Sequence, residues 1–594
     1  MQKLIYIWDS KDKPKIDSKF SVIFWSTSHE VSNESYSIVE ILESNSDQLK
    51  SEYLHFIYNL GNSRYYGESL IDLLQIRDNF SFWWMTAIAE KNNWAKSPNI
   101  SNILKLMALK SFFLNDECKQ VVVKSDNKDL LSSIKLLCEN LEINIKIISK
   151  NTSKINYLNL KDYIFNAFYL LKGALWLIRE ILFSIPFKLL GKKSWNLKNS
   201  KLIFVSYLST VNLDDAKDKR FNNVFWGPLP SYLAKKQVCT NWLYLPSKRF
   251  RFYEILNIFF RLKSQKDSSH AHIIISSFFN LKVIYKTLKD IFIILTKFSK
   301  AKKELLKGSD FLWPLLKNDF SRSLLSSDMV SSLFYLALFE EVESVSDEDS
   351  KIIYLSENHS WEQGLISSFK SERRKLTGFA HSTIRYWDLR YFNDIKNYQN
   401  TGIYSKPIPD NFAVNGLNDK SMMIKFGYPD NKIQEVESLR YLYLNNLISK
   451  KEKSEKNETK TLLVLGDYLK SNTMFMLSFL KSNKVSRILE CTNVIIKPHP
   501  ACPIKSEDIV NINAKIEDSF IGNLILKADI VFTGNVSSAA VEAYSLGKTI
   551  ISVRDLENLD MSPLRGVKNV KFVSDEENLK LTLNEALLNN ENQQ

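Results

Sequence analysis

Two stretches near the end of the chain carry residue types suited to binding a phosphate group. The first, Thr492–Pro500 (TNVIIKPHP), is an apolar run that ends in Lys497, His499 and Pro500. An imidazole beside a lysine can stabilise the negative charge that develops on a leaving phosphate. Prolines on both sides of the histidine fix the loop backbone. We therefore predict that these residues bind a nucleotide phosphate and that His499 is also catalytic, with a structural histidine as the alternative.

The second stretch, Ala528–Gly547 (ADIVFTGNVSSAAVEAYSLG), predicts a buried strand, a polar loop and a helix. Ser537 and Ser538 fall at the start of that helix, where hydroxyl groups and free N–H groups bind phosphate oxygens. Glu542, one turn further on, is predicted to accept hydrogen bonds from ribose hydroxyls. An ordinary serine cap and a solvated first-turn glutamate are the alternatives. The predicted nucleotide site is completed by Gly534, Asn535 and, after an earlier strand, Gly466.

A polar segment in the middle of the chain offers carboxylates for a general base. Tyr354–Gln363 (YLSENHSWEQ) follows a predicted strand and leads into a predicted helix. A base must reach the acceptor hydroxyl and must be ionised before the reaction. Glu362, beside Trp361, is the first candidate and Glu357 the second. The alternative is that Glu362 is only a first-turn helix residue.

Another cluster follows the next predicted strand. Gly378–Arg385 (GFAHSTIR) places His381, Ser382 and Arg385 within a few residues of each other. Because guanidinium and imidazole groups bind carboxylates and phosphates, these three residues are predicted to contact an acidic sugar, and His381 and Arg385 could instead contact a phosphate. A structural histidine and an exposed arginine are the alternative interpretation.

The elements that must position these residues alternate between apolar strands and helices, which indicates an α/β fold with parallel sheets. A chain of 594 residues is too long for one hydrophobic core. We predict an N-terminal α/β region, a basic helical connector, a Rossmann-like acceptor-side domain, a charged linker and a Rossmann-like nucleotide-binding domain. The respective ranges are 1–150, 151–200, 201–447, 448–460 and 461–594. Whether the first range is a separate domain stays open.

The chain is basic, with a net charge of +14, which suits nucleic acid, anionic lipid or an anionic substrate. No nucleic-acid-binding signature accompanies the charge, so nucleic acid is not a predicted partner. The five cysteines form no CxxC pair, which argues for a reduced, cytoplasmic protein without a zinc site. No metal-binding motif stands out, so we predict no cofactor and no obligatory metal.

Two apolar stretches interrupted by charged residues bear on localisation. Tyr163–Leu190 and Ile273–Ser299 are both predicted to be helical, and both contain lysines. Helices of this type can lie in a membrane interface, although packed domain helices are the alternative. An anionic membrane surface is therefore a predicted partner, with the protein peripheral at the inner face of the inner membrane.

The motifs KPHP and TGNVSSAAVEAYSLG resemble the C-terminal half of bacterial GT-B glycosyltransferases that use CMP-activated acidic sugars. These include the Kdo transferases of capsule assembly and bacterial sialyltransferases. The resemblance implies a GT-B-like fold, with two Rossmann-like domains facing a cleft. It also implies that His499-Pro500 and Ser537-Ser538 hold CMP. The segments SENHSWEQGL, GFAHSTIRYWDLRYF and SFWWMTAIAEKNNWAKSPNI resemble a family of O-antigen or capsule biosynthesis proteins, and this second resemblance spans most of the chain.

Together these resemblances imply transfer of Kdo or another nonulosonate from CMP to a glycan or lipid-linked acceptor, in surface polysaccharide or lipopolysaccharide biosynthesis. The sialyltransferases carry an acidic-acidic-glycine motif for the base, whereas SENHSWEQ occupies that place here. Two alternatives remain: a GT-B transferase for a UDP- or GDP-hexose, and a non-catalytic nucleotide-sugar-binding scaffold protein. UDP-GlcNAc 2-epimerases share the C-terminal pattern but begin with a Gly-Thr-Arg-Pro-Glu-type motif that this chain lacks.

Overall fold

Parallel β-sheets covered by helices form the framework of the chain, which confirms the predicted α/β fold class. The computed structural model describes residues 3–16, 20–26, 35–93, 96–116, 118–148, 160–191, 200–213, 215, 221–246, 250–264, 269–399, 402, 405–451, 459–500 and 502–589. The chain divides into two compact units. The first comprises Met1–Trp25, His29–His381 and Leu389–Arg440, and the second Ser26–Ser28, Ser382–Asp388 and Tyr441–Gln594. The finer five-part division stays a prediction.

The first unit begins with a parallel sheet in the order β3-β2-β1-β6-β7. Its strands are β1 Lys3–Asp9, β2 Ser21–Phe24, β3 Ser35–Ser37, β6 Cys118–Ser125 and β7 Asn144–Ile147. An antiparallel hairpin of β4 Gln75–Arg77 and β5 Phe80–Ser81 lies outside this sheet. The accompanying helices are Ile38–Ser44, Ser46–Asn62, Leu70–Leu73, Ala87–Glu90, Ile100–Asn115 and Lys128–Asn140. The N-terminal α/β region is therefore present, and it belongs to the first compact unit.

The apolar segment Phe80–Glu90 (FSFWWMTAIAE) predicts one continuous helix, and this prediction is wrong. The structure instead contains β5, a 3₁₀ turn at Phe82–Met85 and the short helix Ala87–Glu90. Two caps divide the segment, because Ser81 accepts from the Trp83 N–H and Thr86 accepts from the Ala89 N–H. Lys91 then ends the helix in the left-handed region, at φ 56°.

A seven-stranded parallel sheet follows in the order β10-β9-β8-β11-β12-β13-β14. Its strands are β8 Leu202–Tyr207, β9 Thr240–Leu245, β10 His270–Ile274, β11 Lys351–Leu355, β12 Lys375–Phe379, β13 Asn411–Val414 and β14 Ile433–Glu435. The chain moves outward in one direction from β8 and then in the other from β11. The boundary between these two strands is therefore a topological switch point, the place where ligands bind in open parallel sheets.

Long helices cover this second sheet of the first unit. Leu160–Gly191 and Leu281–Ser309 both pack against Ser327–Glu343, most of which is buried. The remaining helices of this part are Leu229–Lys235, Phe252–Lys263, Trp313–Leu325, Ser360–Phe369, Ile395–Gln399 and Leu417–Lys425. The predicted basic connector is thus largely one helix, although 151–159 and 192–199, with Lys192 and Lys193, lie outside the described residues.

The predicted helix over Ile273–Ser299 begins later than expected. Strand β10 continues to Ile274, and the helix starts only at Leu281, because the Asn280 side chain caps it by accepting from the Val283 N–H. Among the described residues, no helix is long and apolar enough to cross a membrane.

The second unit contains a six-stranded parallel sheet in the order β17-β16-β15-β18-β19-β20. Its strands are β15 Thr461–Leu465, β16 Asn493–Lys497, β17 Lys515–Ile516, β18 Ile530–Thr533, β19 Thr549–Val553 and β20 Val570–Val573. Its helices are Tyr443–Lys451, Lys470–Lys481, Asn483–Leu489, Ile521–Lys527, Ala539–Ser545 and Glu576–Asn589. The predicted charged linker overlaps the end of the first of these helices, and its residues 452–458 lie outside the described part of the chain.

Candidate functional site

Three loops of the second unit start at the carboxyl ends of neighbouring strands. Gly466 follows β15, Pro498 follows β16 and Gly534 follows β18, and β15 pairs with both of the other strands. Because parallel strands end at the same edge of their sheet, the loops lie side by side. The switch point of this sheet falls between β15 and β18, so the predicted nucleotide residues occupy the position where such sheets bind ligands.

Asp467 ties two of these loops together. Its side chain is fully buried and accepts hydrogen bonds from the Val536 N–H at 2.9 Å and the Leu469 N–H at 3.0 Å. Gly534 packs directly on it, since a Cβ at position 534 would lie 2.7 Å from the Asp467 Oδ2. Burial raises the pKa of Asp467 above its ordinary value, against hydrogen bonds that favour the anion. The sequence signal for this residue was the Gly-Asp pair directly after a strand.

His499 lies in the loop beside Gly466. A Cβ at position 466 would stand 3.0 Å from the His499 backbone nitrogen, so the glycine permits this close approach. The His499 ring packs edge-on against Tyr468, with 5.6 Å between ring centroids. Burial lowers the pKa of His499, which outweighs the nearby charge of Asp467. This direction of shift favours the neutral imidazole.

The other residues of the predicted KPHP site differ in their surroundings. Lys497 forms an ion pair with Asp518, with 2.5 Å between Nζ and Oδ1. Because Asp518 is exposed, this pair can rearrange when another anion approaches. Pro500, the residue after His499, is exposed. These residues stay predicted phosphate contacts.

The loop that contains Ser537 and Ser538, here called the serine loop, contacts the guanidinium group of Arg385. The sequence had assigned Arg385 to the acceptor site. Ser538 is the N-cap of the helix Ala539–Ser545, and its Oγ accepts a hydrogen bond from Arg385 at 3.0 Å. Arg385 also donates to the Val536 carbonyl oxygen at 3.0 Å. The segment Ser382–Asp388 belongs to the second unit, so Arg385 lies with the predicted nucleotide residues rather than with an acceptor site. Ser382, partly buried, begins this segment.

Asn535, Ser537 and Glu542 are all largely buried. Asn535 donates to the Leu559 carbonyl and accepts from the Met561 N–H, so it holds the loop after β19 in place. Glu542 accepts a hydrogen bond from the Tyr443 hydroxyl. The ribose contact of Glu542 stays a prediction.

The switch point of the first unit carries a chain of charged groups. His359, directly after β11, contacts Glu90 through Nδ1 at 3.0 Å and Glu357 through Nε2 at 3.1 Å. Tyr207, at the end of β8, donates to Glu357 at 3.3 Å. Burial alone would lower the pKa of His359, but the two carboxylates raise it to about 9. The pKa of Glu357 falls to about 2, because the contact with His359 outweighs the effect of burial.

Glu90 was missed as a site residue by sequence reasoning. It is 4% exposed and also contacts the Lys96 ammonium at 2.6 Å and the Ser360 N–H at 3.1 Å. Its only sequence signal was a carboxylate at the end of an apolar run, and buried acidic residues require partners. Lys96 is only six residues away, but His359 and Ser360 follow β11, more than 260 residues further along the chain.

The structure separates the two candidate bases. Glu362 is fully buried and accepts hydrogen bonds from the Glu357 N–H, the His359 N–H and the Ser356 hydroxyl, each at 2.9 Å. Burial raises its pKa to about 7. These bonds are those of a capping residue at the start of the helix Ser360–Phe369. Glu357 is 26% exposed and ionised, which favours it over Glu362 as the group that reaches a substrate.

His381 lies beside Glu357, with 3.8 Å between its Nε2 and the Glu357 Oε1. The His381 ring stacks on Phe225 at 4.1 Å between centroids, and Arg440 lies over the same phenyl ring. The first unit therefore brings His381 and Glu357 together, and their role at an acceptor stays a prediction. Within the described ranges, no group of three or more histidine, cysteine or acidic residues has the arrangement of a metal site.

No protein-family model and no curated protein sequence matches the chain. Solved structures similar to it include a UDP-GlcNAc 2-epimerase from Neisseria meningitidis bound to UDP-GlcNAc, with 9% identity, 66% of this chain and 92% of that chain covered, and a TM-score of 0.38. A glycosyltransferase from Rickettsia africae is 13% identical, with 66% of this chain and 89% of that chain covered and a TM-score of 0.34. An α,α-trehalose 6-phosphate synthase from Burkholderia multivorans has 9% identity, covers 65% and 91%, and has a TM-score of 0.35. At these TM-scores, function is argued from the site alone.

Proposed function

We propose that this protein is a GT-B-type glycosyltransferase that uses a nucleotide-activated sugar. The observation that carries the proposal is the placement of the KPHP and serine-pair motifs at the switch point of the six-stranded sheet. The strand order of that sheet is the one that binds nucleotides in Rossmann-like domains. The donor nucleotide is assigned to the second unit and the sugar acceptor to the first.

In the donor site, Arg385, Ser538 and His499 have complementary roles. The guanidinium of Arg385 supplies a fixed positive charge and several N–H donors for phosphate oxygens. The neutral imidazole of His499 donates a hydrogen bond to the departing phosphate, which gains negative charge as the glycosidic bond breaks. Lys497 adds a second positive charge when it leaves Asp518.

In the acceptor site, Glu357 takes the proton of the attacking hydroxyl. The imidazolium of His359 keeps Glu357 ionised before the reaction, and Glu90 and Tyr207 hold this pair in one orientation. His381 contacts the acceptor or the transferred sugar. Glu362 holds the loop backbone and does not reach the substrate.

The resemblance of both second-unit motifs to CMP-sugar transferases supports CMP as the nucleotide and Kdo or another nonulosonate as the sugar. The acceptor is then a glycan or lipid-linked oligosaccharide of surface polysaccharide biosynthesis, met by a cytoplasmic protein at the inner membrane face. The rival donors are UDP- and GDP-hexoses, and the rival function is a non-catalytic scaffold protein.

CMP should raise the melting temperature of the protein, because a ligand that binds only the folded state stabilises it. At a concentration of one hundred times Kd the gain is about 2.7 kcal/mol. Ser538→Ala and Arg385→Ala should each reduce the shift, whereas Ser545→Ala, an exposed serine in the same helix, should not. The measurement is calorimetry with CMP, CDP, UDP and GDP at equal concentrations. A melting-temperature shift with UDP or GDP alone would show that this nucleotide, and not CMP, belongs to the donor. No shift with any nucleotide would contradict the proposal.

Glu357→Gln should lower turnover by about 10²–10⁴-fold, the usual contribution of a general base. The donor for this assay is a sugar activated with the nucleotide that gave the melting-temperature shift. Turnover is measured as release of that nucleotide in the presence of acceptor. The nucleotide-induced melting shift should stay unchanged, since Glu357 lies in the first unit. Glu372→Gln, an exposed glutamate of the same unit, is the matched control. Wild-type turnover in Glu357→Gln would remove the residue from catalysis.

A further inference from the structure

The long helix Leu160–Gly191 carries a row of large apolar side chains on its surface. Residues spaced three and four apart lie on one side of a helix. The members of the row that are more than half exposed are Ile164, Leu171, Leu175, Ile178, Leu182 and Leu189. At 1.5 Å per residue the row is about 38 Å long. No described segment of the chain buries it.

The opposite side of this helix packs against the rest of the first unit. The exposed row is therefore not the face by which the helix joins the hydrophobic core. Glu180, Ser184 and Phe187 on that side are buried. Gly173 allows close packing, because a Cβ there would lie 3.0 Å from a Val330 methyl group. The helix therefore has one face bound to the fold and one apolar face directed outward.

A second helix repeats the arrangement. Leu281, Tyr285, Leu288 and Phe292 follow each other at steps of four, three and four residues along Leu281–Ser309, and each is at least half exposed. Both helices pack against the same buried helix, Ser327–Glu343. The first compact unit therefore carries two exposed apolar rows, and exposed apolar patches are typical of protein or membrane interaction sites.

The exposed charges on the two helices themselves have one sign, although Lys282 and Lys286 pair with Glu341 and Glu340 of a neighbouring helix. On the first helix Lys172, Arg179 and Lys188 are exposed, whereas Glu180 is buried. On the second, the two acidic residues, Asp290 and Glu304, are buried. The exposed cations of the second helix include Lys289, Lys303 and Lys307. Among the described side chains of these helices, every exposed charge is therefore positive.

We propose that these two helices seat the protein on an anionic lipid bilayer. The apolar rows would enter the boundary between headgroups and acyl chains, and the lysines and arginine would contact anionic headgroups. A second copy of the chain fits less well, because pairing two such faces would bring Lys172 and Arg179 close to like charges. This inference deepens the proposed function by naming the surface at which a lipid-linked acceptor is met, and its test does not depend on turnover.

Flotation with vesicles tests the inference on the full-length protein. The protein should float with vesicles of phosphatidylcholine and phosphatidylglycerol in equal parts, and less with phosphatidylcholine alone. The double variant Leu175→Glu/Ile178→Glu should lose binding by about ten-fold or more, since both side chains would enter the lipid. Lys172→Glu/Arg179→Glu should lose binding to the anionic vesicles only. Leu581→Glu, at an exposed leucine of the second unit, is the matched control and should float like the wild type.

Two results would overturn the inference. Equal flotation of Leu175→Glu/Ile178→Glu and the wild type would show that the apolar row does not contact lipid. A concentration-dependent dimer that this variant abolishes, without vesicle binding by the wild type, would show that a second copy covers the face. All substituted side chains are exposed, so melting temperatures should match the wild type. The nucleotide-induced melting shift should persist in every variant, which keeps a failure here distinct from a failure of the proposed function.

Discussion

Glu90→Gln should destabilise the first unit by about 3–5 kcal/mol, as expected when one partner of a buried ion pair is removed. The Glu90 carboxylate contacts the Lys96 ammonium, the His359 imidazolium and the Ser360 N–H, and is almost wholly buried. Glutamine keeps the volume but removes the counter-charge of Lys96 and one of the two carboxylates that pair with His359. The measurement is the melting transition of the first unit by calorimetry, at pH 6.

The pH dependence gives this prediction a second readout. His359 has a folded pKa of about 9, raised from 6.5, so its stabilising contribution is complete below pH 6.5 and lost as the pH rises through 9. In the wild type we therefore expect stability to decline between pH 7 and 9. Burial raises the pKa of Glu362 from 4.5 to about 7, so its ionisation lowers the stability as the pH rises from 4.5 to 7. The contribution of His359 is therefore measured above pH 7.

Glu90→Gln should flatten the decline above pH 7, because the pKa of His359 moves back toward its ordinary value when one of its two carboxylates is neutral. Glu372→Gln, at an exposed position of the same unit, should leave both the stability and the slope unchanged. An unchanged slope in Glu90→Gln would show that Glu90 does not hold the proton on His359.

Asp467→Ala should remove nucleotide binding by the second unit. The Asp467 carboxylate accepts from the Val536 N–H, and so joins the loop after β15 to the serine loop after β18. Without the carboxylate, a buried N–H loses its partner, which costs about 1–3 kcal/mol. Ser538 and Arg385 then lose the support that aligns them, because Arg385 also binds the Val536 carbonyl.

The nucleotide-induced melting shift and the melting temperature of the second unit measure this effect together. Asp467→Asn should fall between the wild type and Asp467→Ala, since one amide oxygen remains as an acceptor. Glu585→Ala, at an exposed acidic residue of the same unit, is the control. Full nucleotide binding by a stable Asp467→Ala protein would show that the two loops do not form one site.

Several strands could be predicted from the sequence to the residue. The apolar runs Lys351–Leu355, Thr461–Leu465, Ile530–Thr533 and Thr549–Val553 predict strands, and the structure has strands with these bounds. Strands buried on both faces are continuous apolar runs, and polar or glycine residues at their ends mark where they stop. The segment Phe80–Glu90 was harder to predict, because all of its residues are buried and its apolar residues follow no helical or strand period. Local caps divide it instead.

The candidate sites, like the strands, were predictable from the sequence only in part. By itself, the sequence determined the α/β class and which strand ends carry the candidate residues, because both depend on the order of residues within a few positions. Only the tertiary structure decided that Arg385 joins the serine loop, that Glu90 and Glu357 enclose His359, and that Glu362 is fully buried. These contacts join residues up to 269 positions apart, and burial and pairing across such distances depend on how the sheets and loops pack.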